Sequence, residues 1–251
     1  MSGPASPFDF PGDDRGILLL HGLTGSPYDM RVIGWQLAAQ GFSVAAPVMA
    51  GHGGSVDDLA RVRWQDWLAG AGVALDRLKA RCRRVMVVGQ SMGGLCALTL
   101  AATRDDIDAV ASLAAPLWLE GLSARVARWV APGGWLHGRV QVLPKIGGSD
   151  VSVKAERRTG HGLPRIPAPS LVELGGLMAE AERLLPAIRA PLLVLHGARD
   201  GTAPVACAAH LAERGRAARV RILPRSQHVL TLDVERLAVM TELARFARAH
   251  L

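Results

Sequence analysis

The residues best placed to do chemistry begin with Gly89-Gln90-Ser91-Met92-Gly93. This G-x-S-x-G run follows the apolar stretch Val85–Val88 and opens a helix-like segment at Met92, the strand–turn–helix setting of a nucleophile elbow. A serine on so tight a turn projects its Oγ beyond the strand end, and glycines on both sides let neighbouring backbone come close. The helix start behind it also favours developing negative charge.

A serine hydroxyl is a weak nucleophile, so a base and an orienting acid must be found elsewhere in the chain. His228, in Ser226-Gln227-His228, and Asp200, in Ala198-Arg199-Asp200-Gly201, each come just after a short apolar run. We assign Ser91 as nucleophile, His228 as general base and Asp200 as the acid that holds the imidazole in its tautomer. Asp233 also lies near His228, but its place at the head of the last helical segment suits an N-cap or first-turn acid. His21-Gly22-Leu23-Thr24-Gly25 directly follows the first apolar run, where glycine lets the chain turn back over the serine. The backbone N–H groups of Leu23 and Met92 are therefore the expected oxyanion donors. His21, His52 and His196, in glycine-flanked turns or at a strand end, read as structural histidines.

Metal and cofactor chemistry is not expected. No H-E-x-x-H or H-x-x-E-H spacing occurs, and Cys82, Cys96 and Cys207 are odd in number without a C-x-x-C pair, which fits a reducing compartment. The first sixteen residues carry Asp9, Asp13 and Asp14 and no signal-peptide-like apolar run, so a cytoplasmic location is expected.

The elements that must position these groups follow a strand–helix rhythm. Strands are expected at Ile17–Leu20, Phe42–Ala46, Val85–Val88, Ala109–Leu113, Leu192–Leu195 and Val220–Leu223. Helices are expected at Met30–Gln40, Trp64–Ala80, Met92–Ala102, Pro204–Arg214 and Val234–His250, with Gly41 and Gly215 at C-terminal caps. This alternation implies an α/β fold, a mostly parallel sheet with helices on both faces. It breaks between about Leu117 and Ala190, where Pro132, Pro144, Pro164, Pro167 and Pro169 collect. We read residues 1–116 and 191–251 as the core and 117–190 as a cap insertion with a return helix. Leu119, Leu122, Val126, Trp129 and Val130 give the cap one amphipathic helix, and Ser170–Ile188 forms the second. Trp118 and Trp129 are the expected substrate-binding side chains, with cap packing as the alternative for both. Val85–Thr103 is uncharged over 19 residues, but its centre of Gly89, Gln90, Ser91, Gly93 and Gly94 suits a buried turn rather than a membrane span.

Composition closes off other classes. The 251 residues suit one α/β domain, and 49% apolar with 20% charged residues excludes disordered, fibrous and coiled-coil chains. The net charge of +7 comes from dispersed arginines, with no block of like charges, so no nucleic-acid partner and no stable membrane insertion is expected. The cap is nonetheless basic, and either a solvated face or an anionic interface accounts for that. The expected partner is a small molecule. Nothing in the sequence fixes the oligomeric state.

With these residues in hand, the sequence resembles the α/β-hydrolase family, and within it bacterial carboxylesterases of the monoacylglycerol-lipase type. The chain order Ser91, Asp200, His228 is the order of that family. The resemblance also runs through Leu-Leu-Leu-His-Gly-Leu-Thr-Gly at 18 to 25, Gly51-His52-Gly53, Trp64-Gln65-Asp66-Trp67, Gly89 to Gly94 and His228-Val229-Leu230-Thr231-Leu232-Asp233. It implies a capped active site and hydrolysis of carboxylic esters with short to medium acyl chains, monoacylglycerols included. Members usually carry glycine where this chain has Gln227 and a branched residue where it has Ala203. A thioesterase or acyltransferase with the same triad, or a non-catalytic ligand-binding module on this fold, are the alternatives.

Overall fold

The computed structural model describes residues 5–145, 149–158, 161–217 and 219–251. In chain order the elements are β1 (Phe8–Phe10), β2 (Arg15–Leu20), α1 (Tyr28–Ala38), β3 (Ser43–Ala46), α2 (Val56–Ala60), α3 (Trp64–Lys79), β4 (Arg84–Gln90), α4 (Met92–Thr103) and β5 (Ala109–Leu113). Then come α5 (Gly121–Val130), β6 (Val142–Pro144), α6 (Lys154–Arg158), β7 (Arg165–Pro167), α7 (Ala168–Leu184), β8 (Leu192–Gly197), α8 (Ala206–Arg214), β9 (Arg219–Leu223) and α9 (Arg236–His250).

Seven strands form one sheet in the order β1-β3-β2-β4-β5-β8-β9, parallel except for β1, which pairs antiparallel with β3 at the edge. The central strands read as continuous apolar runs because both of their faces are covered. Alternation then sorts each run between two cores. Leu18, Leu20, Val85, Val87, Leu192 and Val194 pack on one face with Trp67 and Leu75 of α3, Leu95 and Leu98 of α4 and Leu211 of α8. Ile17, Leu19, Met86, Val88, Leu193 and Leu195 pack on the other with Met30 and Ile33 of α1 and Val239 and Leu243 of α9. The uncharged run from Val85 is thus β4, a turn and α4, and among the described residues no helix is long and apolar enough to cross a membrane.

The expected strands and core helices are present, with ends displaced by up to two residues. Two differences bear on the site. The segment between β5 and β8 holds α5, a two-stranded antiparallel hairpin of β6 and β7, and α6, where only two helices were expected. The return helix is α7, whose Leu174, Leu177 and Ala181 join the core cluster of α4. Asp233 is not the N-cap of the last helix. That position is Glu235, and Asp233 is fully buried, accepting the N–H groups of Ser152, Gln227 and Val234. The buried loop amides around it take the carboxylate that the helix end would otherwise use.

Candidate active site

Parallel strands deliver their C-terminal ends to one edge of the sheet, where ligands bind in this class of fold. Ser91 stands there between β4 and α4 with φ 56° and ψ −119°, a positive φ unusual for any residue but glycine. Its N–H is fixed by the Leu113 carbonyl at 2.8 Å. The turn exists only because Gly89 and Gly93 carry no side chain: a Cβ on Gly89 would run into the Gly93 carbonyl, and one on Gly93 into the Leu20 carbonyl.

The three residues picked out for nucleophile, base and acid meet at this edge. His228 Nε2 lies 2.9 Å from Ser91 Oγ, and its Nδ1 lies 2.8 Å from Asp200 Oδ2. With Nδ1–H donated to the carboxylate, Nε2 is left to accept the serine proton. Burial pushes the His228 imidazole toward its neutral form, but the Asp200 carboxylate outweighs that and holds its pKa above the usual 6.5. Burial would likewise raise the Asp200 pKa. The charge and hydrogen bond of His228, the hydrogen bond of His196 and the Ala203 amide overcome it and keep the carboxyl well below its usual range.

Asp200 is held from every side. Its Oδ1 accepts the N–H groups of Thr202 at 2.8 Å and Ala203 at 2.7 Å. His196, four residues earlier on β8, brings its Nε2 to 3.2 Å from Oδ2 and 3.1 Å from the Ala203 carbonyl. Sequence reasoning left His196 as a strand-end histidine; its spacing in His196-Gly197-Ala198-Arg199-Asp200 was the available sign. Gln227, where a glycine is usual in the family, has no positive φ and donates its N–H to Asp233 Oδ2 at 2.6 Å, so the backbone beside His228 does not need glycine.

The loop after β2 passes close over the nucleophile: a Cβ on Gly22 would lie 3.2 Å from Ser91 Cβ. Leu23 lines the cavity and Met92 is buried at the first position of α4. Thr24, with φ 58°, donates its N–H to His52 Nε2 at 3.0 Å, while His21 Nε2 accepts the Met49 N–H at 3.1 Å. Each of these histidines donates its Nδ1–H to a carbonyl, of Gly22 for His21 and of Ala50 for His52. Burial lowers their pKa values to about 3 for His21 and about 4 for His52, so both are neutral acceptors under ordinary conditions.

A cavity of about 850 Å³ opens above Ser91 and His228. Leu122 and Val126 of α5, Leu143 of β6, Leu171 and Leu174 of α7, and Leu163 and Ile166 line it with apolar surface. A polar group lines it as well: Tyr28 donates to Glu156 at 3.4 Å and packs at a tilt against His161 with ring centres 3.9 Å apart. Beside them, burial raises the Asp29 pKa to about 6 and lowers that of Lys145, which is offset in part by the neighbouring Asp29. None of these five residues was singled out from sequence as part of the site, since they come from α1 and three separate cap segments. The two cap tryptophans stand elsewhere. Trp118 meets His210 edge-on and donates its indole N–H to Glu120, and Trp129 packs edge-on against Trp135 beneath Arg125. Neither is among the lining residues. Their rings face other residues, and the apolar lining that α5 and α7 supply is aliphatic, from Leu122, Val126, Leu171 and Leu174.

Comparison with known proteins identifies the family. The Hydrolase_4 family model, described as serine aminopeptidase S33, matches residues 13–235. The chain is 30% identical over 252 residues to the thermostable monoacylglycerol lipase of Bacillus sp. (strain H-257), covering 100% of this chain and 96% of that one. It is 32% identical over 115 residues to a carboxylesterase of Bacillus subtilis (strain 168), covering 45% of this chain and 46% of that protein. Among solved structures, one from work on the metagenome-derived lipolytic enzymes LipS and LipT superposes with a TM-score of 0.89 at 28% identity, covering 98% of both chains. The monoacylglycerol lipase of Paleococcus ferrophilus shares the fold with a TM-score of 0.79 at 19% identity over 98% of both chains. The chain belongs to the Hydrolase_4 family of α/β-hydrolases and is a serine hydrolase of that family.

Proposed function

We propose that this enzyme cleaves carboxylic esters of short to medium acyl chains, monoacylglycerols among them, through a Ser91–His228–Asp200 triad and an acyl-enzyme. The observation that supports this most is the unbroken relay of 2.9 Å and 2.8 Å contacts from Ser91 Oγ through His228 to Asp200 at the floor of an amphipathic cavity. In the first half-reaction His228 Nε2 takes the Oγ proton as Oγ bonds to the ester carbonyl carbon. The oxyanion is received by the Leu23 and Met92 amides, worth about 3 kcal/mol per donor in such sites. Collapse breaks the bond to the alcohol oxygen, which leaves with the proton from His228. Water then gives its proton to His228 and attacks the acyl-enzyme, and release of the acid restores Ser91.

The cavity supports the choice of ester. Its aliphatic lining suits an acyl chain, and the Tyr28, Asp29, Lys145, Glu156 and His161 group offers donors and acceptors for free hydroxyls. Asp29, Asp150 and Glu156 outnumber Lys145 among the described lining residues, so an uncharged polyol fits better than an anionic alcohol.

The test is a p-nitrophenyl ester series from acetate to palmitate, together with mono-, di- and triacylglycerols and an acyl thioester. The reading expects a maximum at short to medium chains and preference for the monoacylglycerol. Activity confined to the thioester, or to acyl transfer between alcohols, would replace it.

A further inference from the structure

Asp150 fastens the cap to both the His228 loop and the Asp200 loop. Asp150, between β6 and α6, accepts two backbone N–H groups through its main-chain carbonyl, from His228 at 3.1 Å and Val229 at 3.0 Å. Its side-chain Oδ2 accepts two more donors from the other loop, the Gly201 N–H at 3.0 Å and the Thr202 hydroxyl at 2.9 Å. One residue thus binds the loop of the triad base and the loop of the triad acid, 78 and about 50 residues away in the chain. Two residues on, Ser152 donates its N–H to buried Asp233 at 2.9 Å and its hydroxyl to the Arg225 carbonyl at 3.3 Å, and Asp233 in turn holds the Gln227 amide beside His228.

We propose that Asp150 is a positioning residue for the hydrolytic reaction: it ties the cap to the Asp200 and His228 loops, so that the triad is in register only while residues 149–152 are docked. This rests on the triad reading above. The Asp200 carboxylate takes the Thr202 and Ala203 amides on Oδ1, so a shift of Gly201 and Thr202 moves the hydrogen bonds that aim it at His228. The His228 imidazole is faced by Ser91 from the β4–α4 turn, by Asp200 and, through it, His196 from β8, and by Asp150 from the cap, whose charge favours the imidazolium. Asp150 also lines the cavity, together with Gly201, Thr202 and His228, so this fastening lies in the cavity wall.

The two parts of the role separate by substitution, since the main-chain carbonyl is kept in every variant. Asp150→Ala removes the acceptor for Gly201 and Thr202; Asp150→Asn keeps an acceptor oxygen and removes the charge. Rates are measured per active site titrated with a serine-directed fluorophosphonate, alongside Ser91→Ala and thermal midpoints. For Asp150→Ala we expect kcat to fall by about 10- to 100-fold with little change in KM, as for misalignment of reacting groups. Asp150→Asn restores most of that loss, while its acid limb in kcat/KM moves to lower pH. Thr202→Val, which deletes the partner hydroxyl and leaves the acid in place, lowers kcat by about threefold to tenfold, the worth of one hydrogen bond. It adds nothing further in the Asp150→Ala background, and it decides the matter if Asp150→Ala does not fold. Wild-type kcat and an unmoved limb in the Asp150 variants, or losses that follow the folded fraction alone, would overturn the positioning role. Ester hydrolysis surviving in Ser91→Ala would overturn the triad reading instead.

Discussion

The Thr24 amide donates to His52 Nε2 at 3.0 Å, so the loop carrying the Leu23 N–H is held by an imidazole that must stay uncharged to accept. Thr24 sits at a positive φ of 58°, a conformation that persists only where its surroundings hold it. His21 and His52 stand edge to face with ring centres 5.0 Å apart, and together they bind the start of this loop to the turn at Met49 and Ala50.

Replacing His52 by alanine therefore leaves the Thr24 amide buried without an acceptor. The expected result is a fall in kcat of about 10- to 100-fold, reaching at most the low end of the loss for outright removal of an oxyanion donor, the role proposed for Leu23, with KM changed little. Steady-state kinetics check it, and kcat within twofold of wild type would contradict it.

The same pair sets an acid limit on stability. Both histidines have folded-state pKa values below 6.5, so the native state binds fewer protons than the unfolded chain as pH falls. The stability they contribute is whole above pH 6.5 and is lost as pH falls toward about 4 for His52 and about 3 for His21. Each costs up to about 1.4 kcal/mol per pH unit across that window. Urea unfolding measured between about pH 7 and about pH 4 should show the decline, shallower in a His52→Gln variant.

On the proposed mechanism activity has its own limit, set by His228. The base must be neutral, and its pKa is raised above 6.5, so kcat/KM should decline on the acid side with an apparent pKa higher than that of a free imidazole. The stability from this pairing has the opposite sense to that of His21 and His52: present below pH 6.5, it is lost as pH rises through the folded pKa. A rate profile flat between about pH 5 and about pH 8 would count against His228 as base. Asp200→Asn should lower kcat by about ten-thousand-fold, because the amide favours the wrong tautomer.

The elbow makes a sharper stability demand than the core around it. A Cβ on Gly93 would meet the carbonyls of both Leu20 and His21, and backbone on neighbouring strands has nowhere to move. Gly93→Ala should cost upward of about 3 kcal/mol or prevent folding, whereas Gly70→Ala, with open space around its position on α3, should be neutral or stabilising. Thermal denaturation of the two variants separates these outcomes.

What could be read from the sequence was whatever depends on neighbours along the chain. Alternation between Ile17, Leu19 and Leu18, Leu20 marks a strand covered on both faces, and the glycines about Ser91 mark the turn, so the sheet, the core helices and the three residues that meet at the candidate site were all legible. The short strands were not. β1 and the cap pair β6 and β7 have three residues each, too few to show a period, and two of them contain proline. Nor was the role of Asp233: a buried carboxylate held by amides from residues 152 and 227 looks, in sequence, like a helix cap. The polar group around Tyr28 and Glu156 spans 128 residues of chain, and only folding brings it together.

The most direct measurement of the central claim is peptide mapping after reaction with a fluorophosphonate, coupled to ester hydrolysis, in wild type and Ser91→Ala. The account expects one adduct, on the peptide bearing Ser91, with hydrolysis lost in step with labelling and both absent from the variant. An adduct on another residue with Ser91 unmodified, or a Ser91→Ala protein that still hydrolyses ester at the wild-type rate, would contradict it.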